Sequence, residues 1–248
     1  MEKLRIRSCT TPSLQAAHGA GKPSGRAWCS MGLVKAPVLL KYKLSYAGRE
    51  AGEQQLRYER TKAGSRMTLT ADVALPLPRT KQRWVSEMDA RGVPLKFSER
   101  IEGRQNKVYE VEFLRDEGVV VTRGEPEFVL PYTVDYHDPL SLLLALPQVE
   151  EDVVTFPMVG GRTHAERLAE EELTLPWGAV RARAWRLRPG VSLVYFDPEG
   201  YPLRFSQQVG GHVFEAELTE VVHEPEPEAR PEKKKSRRRG GRRRRRRR

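Results

Sequence analysis

One tight cluster of proton-handling side chains occurs in the chain: Asp135, His137 and Asp138. A histidine flanked by carboxylates could hold a metal ion or pass a proton. A metal would need a third or fourth ligand and a supporting shell, and the spacing names none. Asp138 also stands directly before Pro139, where a carboxylate caps a helix and proline fills the first helical position at no cost. The structural role outweighs the chemical one, and a metal-dependent enzyme is a distant alternative. Ser141 lacks the Gly-x-Ser-x-Gly elbow of a hydrolase nucleophile and has no evident base. His164, His212 and His223 fall in or beside strand-like tracts, while Gly160-Gly161 and Gly210-Gly211 lack the spacing of a phosphate loop. These residues read as non-enzymatic, with no cofactor implied.

Charge carries a second chemistry. Residues 230–248 hold 14 Lys/Arg against Glu232 alone, a net of +13, in a chain whose total is +11. Residues 1–229 are therefore at −2, and without the five basic residues and Glu2 of 1–30 the body 31–229 is near −6. Beyond Arg230 the cations are Lys233, Lys234 and Lys235, then Arg237, Arg238 and Arg239, then Arg242, Arg243, Arg244, Arg245, Arg246, Arg247 and Arg248. Such a tail should bind RNA, DNA or the ribosome, because each phosphate contact releases condensed counterions. Arginine also forks onto phosphate and stacks on bases. No aromatics interleave with these cations and no base-reading module accompanies them, so sequence specificity is not expected. An anionic membrane surface is the alternative target.

A third set is aromatic. Trp84, Phe97, Trp185, Tyr195, Phe205 and Phe214 could line a cavity for an apolar or lipid ligand. A closed core built from the same side chains is the favoured reading.

The elements that would position these groups are mostly strands. Leu40, Tyr42, Leu44 and Tyr46 alternate with Lys41, Lys43 and Ser45, and the pattern resumes at Leu56 and Tyr58 after a break over 47–52. Further strands are expected at 66–74, 82–89, 94–101, 107–114 and 118–123. Asp138 to Pro147 then reads as one short helix, apolar nearly all round, ended by Pro147 and buried like a plug. Beyond it lie strands at 153–156, 162–175, 179–188 and 191–196, and a hairpin pairing 202–209 with 212–222 across Gly210-Gly211. His164 to Leu173 is rich in helix formers, yet its short connections to strands favour strand.

The run Asp89-Ala90-Arg91-Gly92-Val93-Pro94-Leu95-Lys96-Phe97-Ser98 returns as Asp197-Pro198-Glu199-Gly200-Tyr201-Pro202-Leu203-Arg204-Phe205-Ser206. Asp, Gly and Pro at those positions are turn chemistry. One copy lies on either side of the helix.

The expected class is mainly β: an antiparallel rolled or half-barrel sheet over 38–223 around one short buried helix, with disordered tails. Residues 1–37 form a Ser/Gly/Pro-rich leader, and Met31 is a candidate for the true start. An acidic Pro-rich linker spans 224–232 and the Arg-rich tail 233–248. Cys9 and Cys29 support neither a disulfide framework nor a metal site. No apolar run approaches the ~18 residues that span a bilayer, and 1–30 has no secretory signal core. The expected location is cytoplasmic, or the bacterial envelope if the true N-terminus carries an export signal.

Taken in order, Tyr42-Lys43-Leu44-Ser45-Tyr46-Ala47-Gly48, Asp89-x-x-Gly92-x-Pro94, Asp138-Pro139-Leu140-Ser141, Thr174-Leu175-Pro176-Trp177-Gly178 and Asp197-x-x-Gly200-x-Pro202 form a pattern. With it the chain resembles the bacterial family catalogued as domain of unknown function 3108 (DUF3108), from about Tyr42 to Val222. The resemblance implies a rolled half-barrel and an exported, envelope or lipid-related role, and it assigns no catalytic residues. The absent export signal and the added polyarginine tail depart from that pattern.

Overall fold

The computed structural model describes residues 37–76, 78–104, 106–189, 192–209 and 211–223. The leader up to residue 36, the linker and the cationic tail lie outside the described residues, as does Gly210. Before the helix the strands are β1 (Val38–Tyr46), β2 (Arg49–Arg60), β3 (Gly64–Val73), β4 (Thr80–Asp89), β5 (Pro94–Glu102), β6 (Lys107–Leu114), β7 (Val119–Arg123) and β8 (Phe128–Pro131). After α1 (Pro139–Ala145) come β9 (Val153–Met158), β10 (Gly161–Arg167), β11 (Glu171–Leu175), β12 (Gly178–Arg188), β13 (Ser192–Phe196), β14 (Pro202–Val209) and β15 (His212–His223). No helix among the described residues is long and apolar enough to cross a membrane.

All fifteen strands join one antiparallel sheet in the order β8-β7-β6-β5-β4-β3-β2-β1-β15-β14-β13-β12-β10-β9, with β11 also on β12. Apart from β8–β9 and β10–β11, each strand pairs with the next in sequence, and β15 returns to β1 (Leu44 opposite Ala216). The roll stays open at one seam, between β8 and β9, and the connection across that seam carries α1. Period two buries Val38, Leu40, Tyr42 and Leu44 on the concave face and turns Lys41 and Lys43 outward.

Several boundaries differ from expectation for local reasons. The β1–β2 break shrinks to the two-residue turn Ala47-Gly48, because Tyr46 already pairs with Arg49. The expected strand 162–175 is two strands, β10 and β11, each on its own half of β12, and Leu168 N–H donates to Ala184 O between them (2.9 Å). The helix formers there are strand because both flanks have a partner edge. β8 was not anticipated: four residues ending in Pro131 carry too little pattern to stand out. Pro147 lies inside a 3-10 turn, Leu146–Gln148, that continues α1.

The internal repeat is a structural repeat. Asp89 N–H donates to Val93 O (2.9 Å) and Asp197 N–H to Tyr201 O (3.0 Å). In each turn the aspartate carboxylate accepts the N–H four residues on, from Val93 (3.0 Å) and Tyr201 (2.8 Å). Gly92 and Gly200 take φ of 79° and 86°, a conformation that costs glycine little. Both turns sit at the end of the roll that α1 covers: Arg183 spans from Pro147 O (3.3 Å) to Asp197 O (3.4 Å).

The helix is fastened at its start. Asp138 accepts from Leu140 N–H (2.8 Å) and Ser141 N–H (2.9 Å), and Ser141 Oγ accepts from Asp138 N–H (2.9 Å), a reciprocal cap. Ser86 Oγ on β4 donates to the same carboxylate (2.6 Å). His137 N–H donates to Pro157 O on β9 (2.8 Å), and its ring meets Phe156 edge-on. Asp135 accepts instead from Tyr132 (2.7 Å), which accepts from Arg115 (2.9 Å). Asp135 is thus engaged apart from the other two, whereas His137 Nδ1 lies 3.4 Å from the Ser141 Oγ that also caps Asp138. At the far end Arg167 donates to Val149 O while lying over the Trp185 ring (5.0 Å). Leu140, Leu142, Ala145 and Leu146 are buried, but Leu143 and Leu144 are only half-buried, so the plug has one wet side.

Two predictions follow the helix. Leu140→Ala should cost about 2–5 kcal/mol and Leu143→Ala distinctly less, read as shifts of the urea midpoint. An equal loss at both would mean that α1 does not seat on its Leu140 face. The second concerns pH. Burial lowers the His137 imidazole from 6.5 to about 4 and raises the Asp138 carboxyl from 3.8 to about 6, against its three donors. The His137 contribution is full above 6.5 and is lost as pH falls towards 4; that of Asp138 is full below 3.8 and is lost as pH rises through 6. Relative to the native chain, His137→Gln should gain stability between about pH 6.5 and about pH 4.5, and Asp138→Asn should lose it, each by about 1–2 kcal/mol. Unfolding at the two pH values reads both signs.

Candidate ligand cleft

The end of the roll opposite α1 is not plugged. There β4, β5 and β6 turn alternate residues onto the concave face, and their register sets three side chains directly side by side: Trp84 opposite Glu99, and Glu99 opposite Tyr109. One row nearer the mouth lie Gln82, Ile101 and Lys107; one row deeper lie Ser86, Phe97 and Val111. The deeper row is packed, with Ser86 fully buried. Trp84, Glu99, Gln82, Ile101 and Lys107 border a cleft of about 710 Å³, whose far wall is the β14–β15 hairpin at Gln208 and Gly211. A neighbouring hollow of about 890 Å³ shares Glu99, Ile101 and Lys107 and extends past Tyr109 to Pro126.

Hydrogen bonds fix the polar groups of this wall. Trp84 Nε1–H donates to Glu99 Oε1 (2.7 Å), and Gln82 Nε2 donates to the same oxygen (2.8 Å). Gln82 Oε1 accepts in turn from Gln207 Nε2 on β14 (2.8 Å). Both glutamines are buried, so a chain of amides reaches Glu99 from β14 across the interior of the roll. Phe97 backs Trp84 edge-to-face, with ring centroids 6.3 Å apart. Burial pushes the Tyr109 phenol up, and the adjacent Glu99 charge adds to the rise.

The six aromatics that could have lined one cavity occupy separate surroundings. Trp84 lines the cleft and Phe97 lies behind it. Phe205 packs edge-on against Tyr42 (5.3 Å), and Phe214 packs against Tyr46 (5.6 Å). Trp185 lies under Arg167 towards the helix end. Tyr195 alternates with buried Val194 and Phe196 and so faces the outside of the sheet. A spread of aromatics over strands of both parities cannot converge on one void.

Elsewhere the polar candidates have structural partners. His164 Nδ1 pairs with Thr155 Oγ1 (2.8 Å), His212 meets Tyr46, and His223 meets Tyr201. No three His, Cys, Asp or Glu side chains converge on a metal position among the described residues. The thirteen tail cations, Lys233 to Arg248, lie outside the described residues.

Glu99 and Tyr109 were missed as site residues. The signal was present: period two in β5 puts Glu99 on the face of Phe97 and Ile101, a charge on an otherwise apolar side.

The fold has a counterpart among solved structures. A crystal structure of a beta-barrel-like protein of domain of unknown function DUF1849 from Brucella abortus is similar over 76% of this chain and 98% of its own, with a TM-score of 0.54 and 10% identity. At that identity the likeness concerns the fold alone. No curated protein matches the chain significantly. The family described as protein of unknown function (DUF3108) matches residues 41–209, from β1 through β14, so the repeated turns, the capped helix and the cleft wall all fall inside it, and the chain belongs to that family.

Proposed function

We propose that the chain is a non-catalytic half-barrel body carrying a polycationic tail that engages nucleic acid or ribosomes without sequence preference. The observation that carries this reading is the segregation of charge: +13 in residues 230–248 against about −6 in 31–229. The surface of the body supports it. Lys41, Lys43, Arg66, Arg123, Arg186 and Arg204 are each engaged by a carboxylate, which leaves them poorly placed to meet phosphate. The reading carries a cytoplasmic location with it.

A second reading is favoured by the cleft: the body is a small-ligand carrier, and an envelope location would accompany it. Its lining of Trp84, Glu99, Gln82 and Lys107 suits a polar or amphipathic ligand better than an acyl chain.

The tail reading is tested by titrating fluorescent RNA with the full chain and with a chain ending at Glu232. The full chain should show log affinity falling linearly with log salt, with a slope near −7 if about ten phosphates of a single strand are engaged, and steeper on duplex. The shortened chain should bind neither RNA nor DNA while keeping its unfolding midpoint. Equal binding by both forms would overturn the proposal, as would a shallow slope for the full chain.

A further inference from the structure

From the mouth of the roll we infer that the Trp84–Glu99–Tyr109 wall is a binding site for a neutral saccharide. The inference rests on the second reading above, that the cleft takes a small ligand, and it is independent of the tail.

An acyl chain would strip water from Glu99 and Lys107 without replacing its hydrogen bonds, which is costly. An anion would meet the Glu99 carboxylate. A cation would meet Lys107 and Arg104, which add positive charge at the rim. A neutral ligand with an apolar face and many hydroxyls escapes all three penalties.

The fit is specific. Each sugar hydroxyl both donates and accepts, so it is matched by a carboxylate acceptor beside groups of either polarity. Glu99 Oε1 is occupied by Trp84 and Gln82, and Oε2 has no protein donor among the described residues. That oxygen is the hydroxyl acceptor. Trp84 and Tyr109 flank it and supply aromatic surface for the C–H face of a ring. The site is also rigid before a ligand arrives. Gln207 holds Gln82, Gln82 and Trp84 hold Glu99, and Phe97 holds Trp84. Preorganisation of this kind lowers the ordering cost of binding. The space has room for a disaccharide, about 710 Å³ on the Trp84 side of Glu99 and about 890 Å³ on the Tyr109 side, since ligand sites run from roughly 300 Å³ upward.

The experiment is calorimetric titration of the full chain with maltose, cellobiose and N,N′-diacetylchitobiose, alongside putrescine and dodecanoate. At least one saccharide should bind saturably, and neither of the other two probes should. Glu99→Gln, which keeps the shape and removes the charge, should weaken that binding roughly tenfold or more. Trp84→Phe should weaken it as well, and Trp177→Phe, on an exposed turn far from the cleft, should not. An unchanged unfolding midpoint in Glu99→Gln keeps that result readable if Trp84→Phe folds poorly. Saturable binding of putrescine or dodecanoate, abolished by Glu99→Gln or Trp84→Phe, would overturn the saccharide inference and keep the carrier reading. No binding of any probe would overturn both, and saccharide binding indifferent to Glu99 and Trp84 would overturn this site.

Discussion

Asp138 is the point at which an open sheet becomes a single body. Its carboxylate is buried and takes three donors, two from the first turn of α1 and one from Ser86 on β4. A buried carboxylate is tolerated only when its lone pairs are matched, so the helix, the loop before it and β4 must arrive together. Removing Asp138 would leave two amide donors of a short helix and a buried hydroxyl unsatisfied at once. Arg183 and Arg167 complete the fastening at the other end of the connection, on carbonyls of Pro147 and Val149.

That fastening matters because the roll has two free edges. β8 and β9 do not pair, and an unpaired edge is a template for another strand. The chain blunts both with devices visible at the residue level. β8 is four residues long and ends in Pro131, while Pro157 sits in β9 and His137 covers the Met158 end with a short parallel bridge. The segment that carries the helix also shields the seam.

Plugging one end and leaving the other open gives the interior a polarity. Towards α1 the concave face is Met88, Leu140, Leu146 and Phe156, all buried. Towards the mouth the same strands present Gln82, Trp84 and Glu99, joined to β14 by the Gln207 amide. The Gln82–Gln207 bond links residues 125 apart and is the polar counterpart, at the mouth, of the Ser86–Asp138 bond at the helix end. Exposed ion pairs such as Lys41–Glu220, Arg66–Glu87 and Arg186–Glu166 lie on the outer face and add little to stability individually.

Much of this architecture is legible in the residue order alone. Alternation of side chains is a local property of extended backbone, so β1, β6 and the last hairpin could be read from residue types alone. The same holds for the Asp-Pro start of α1 and the two Asp-x-x-Gly-x-Pro turns, whose hydrogen bonds close within five residues. The concentration of arginine in the tail needs no fold to be seen. Other features had no local signature. The seam between β8 and β9, the return of β15 to β1 and the splitting of 162–175 depend on which edges find partners, and pairing is decided by the whole sheet. The cleft is of that kind too. Trp84, Glu99 and Tyr109 come from three strands, and only their register sets a carboxylate between two aromatics. Whether an inward-facing residue meets packed side chains or open space depends on how far α1 reaches into the roll, a long-range fact that no stretch of sequence states.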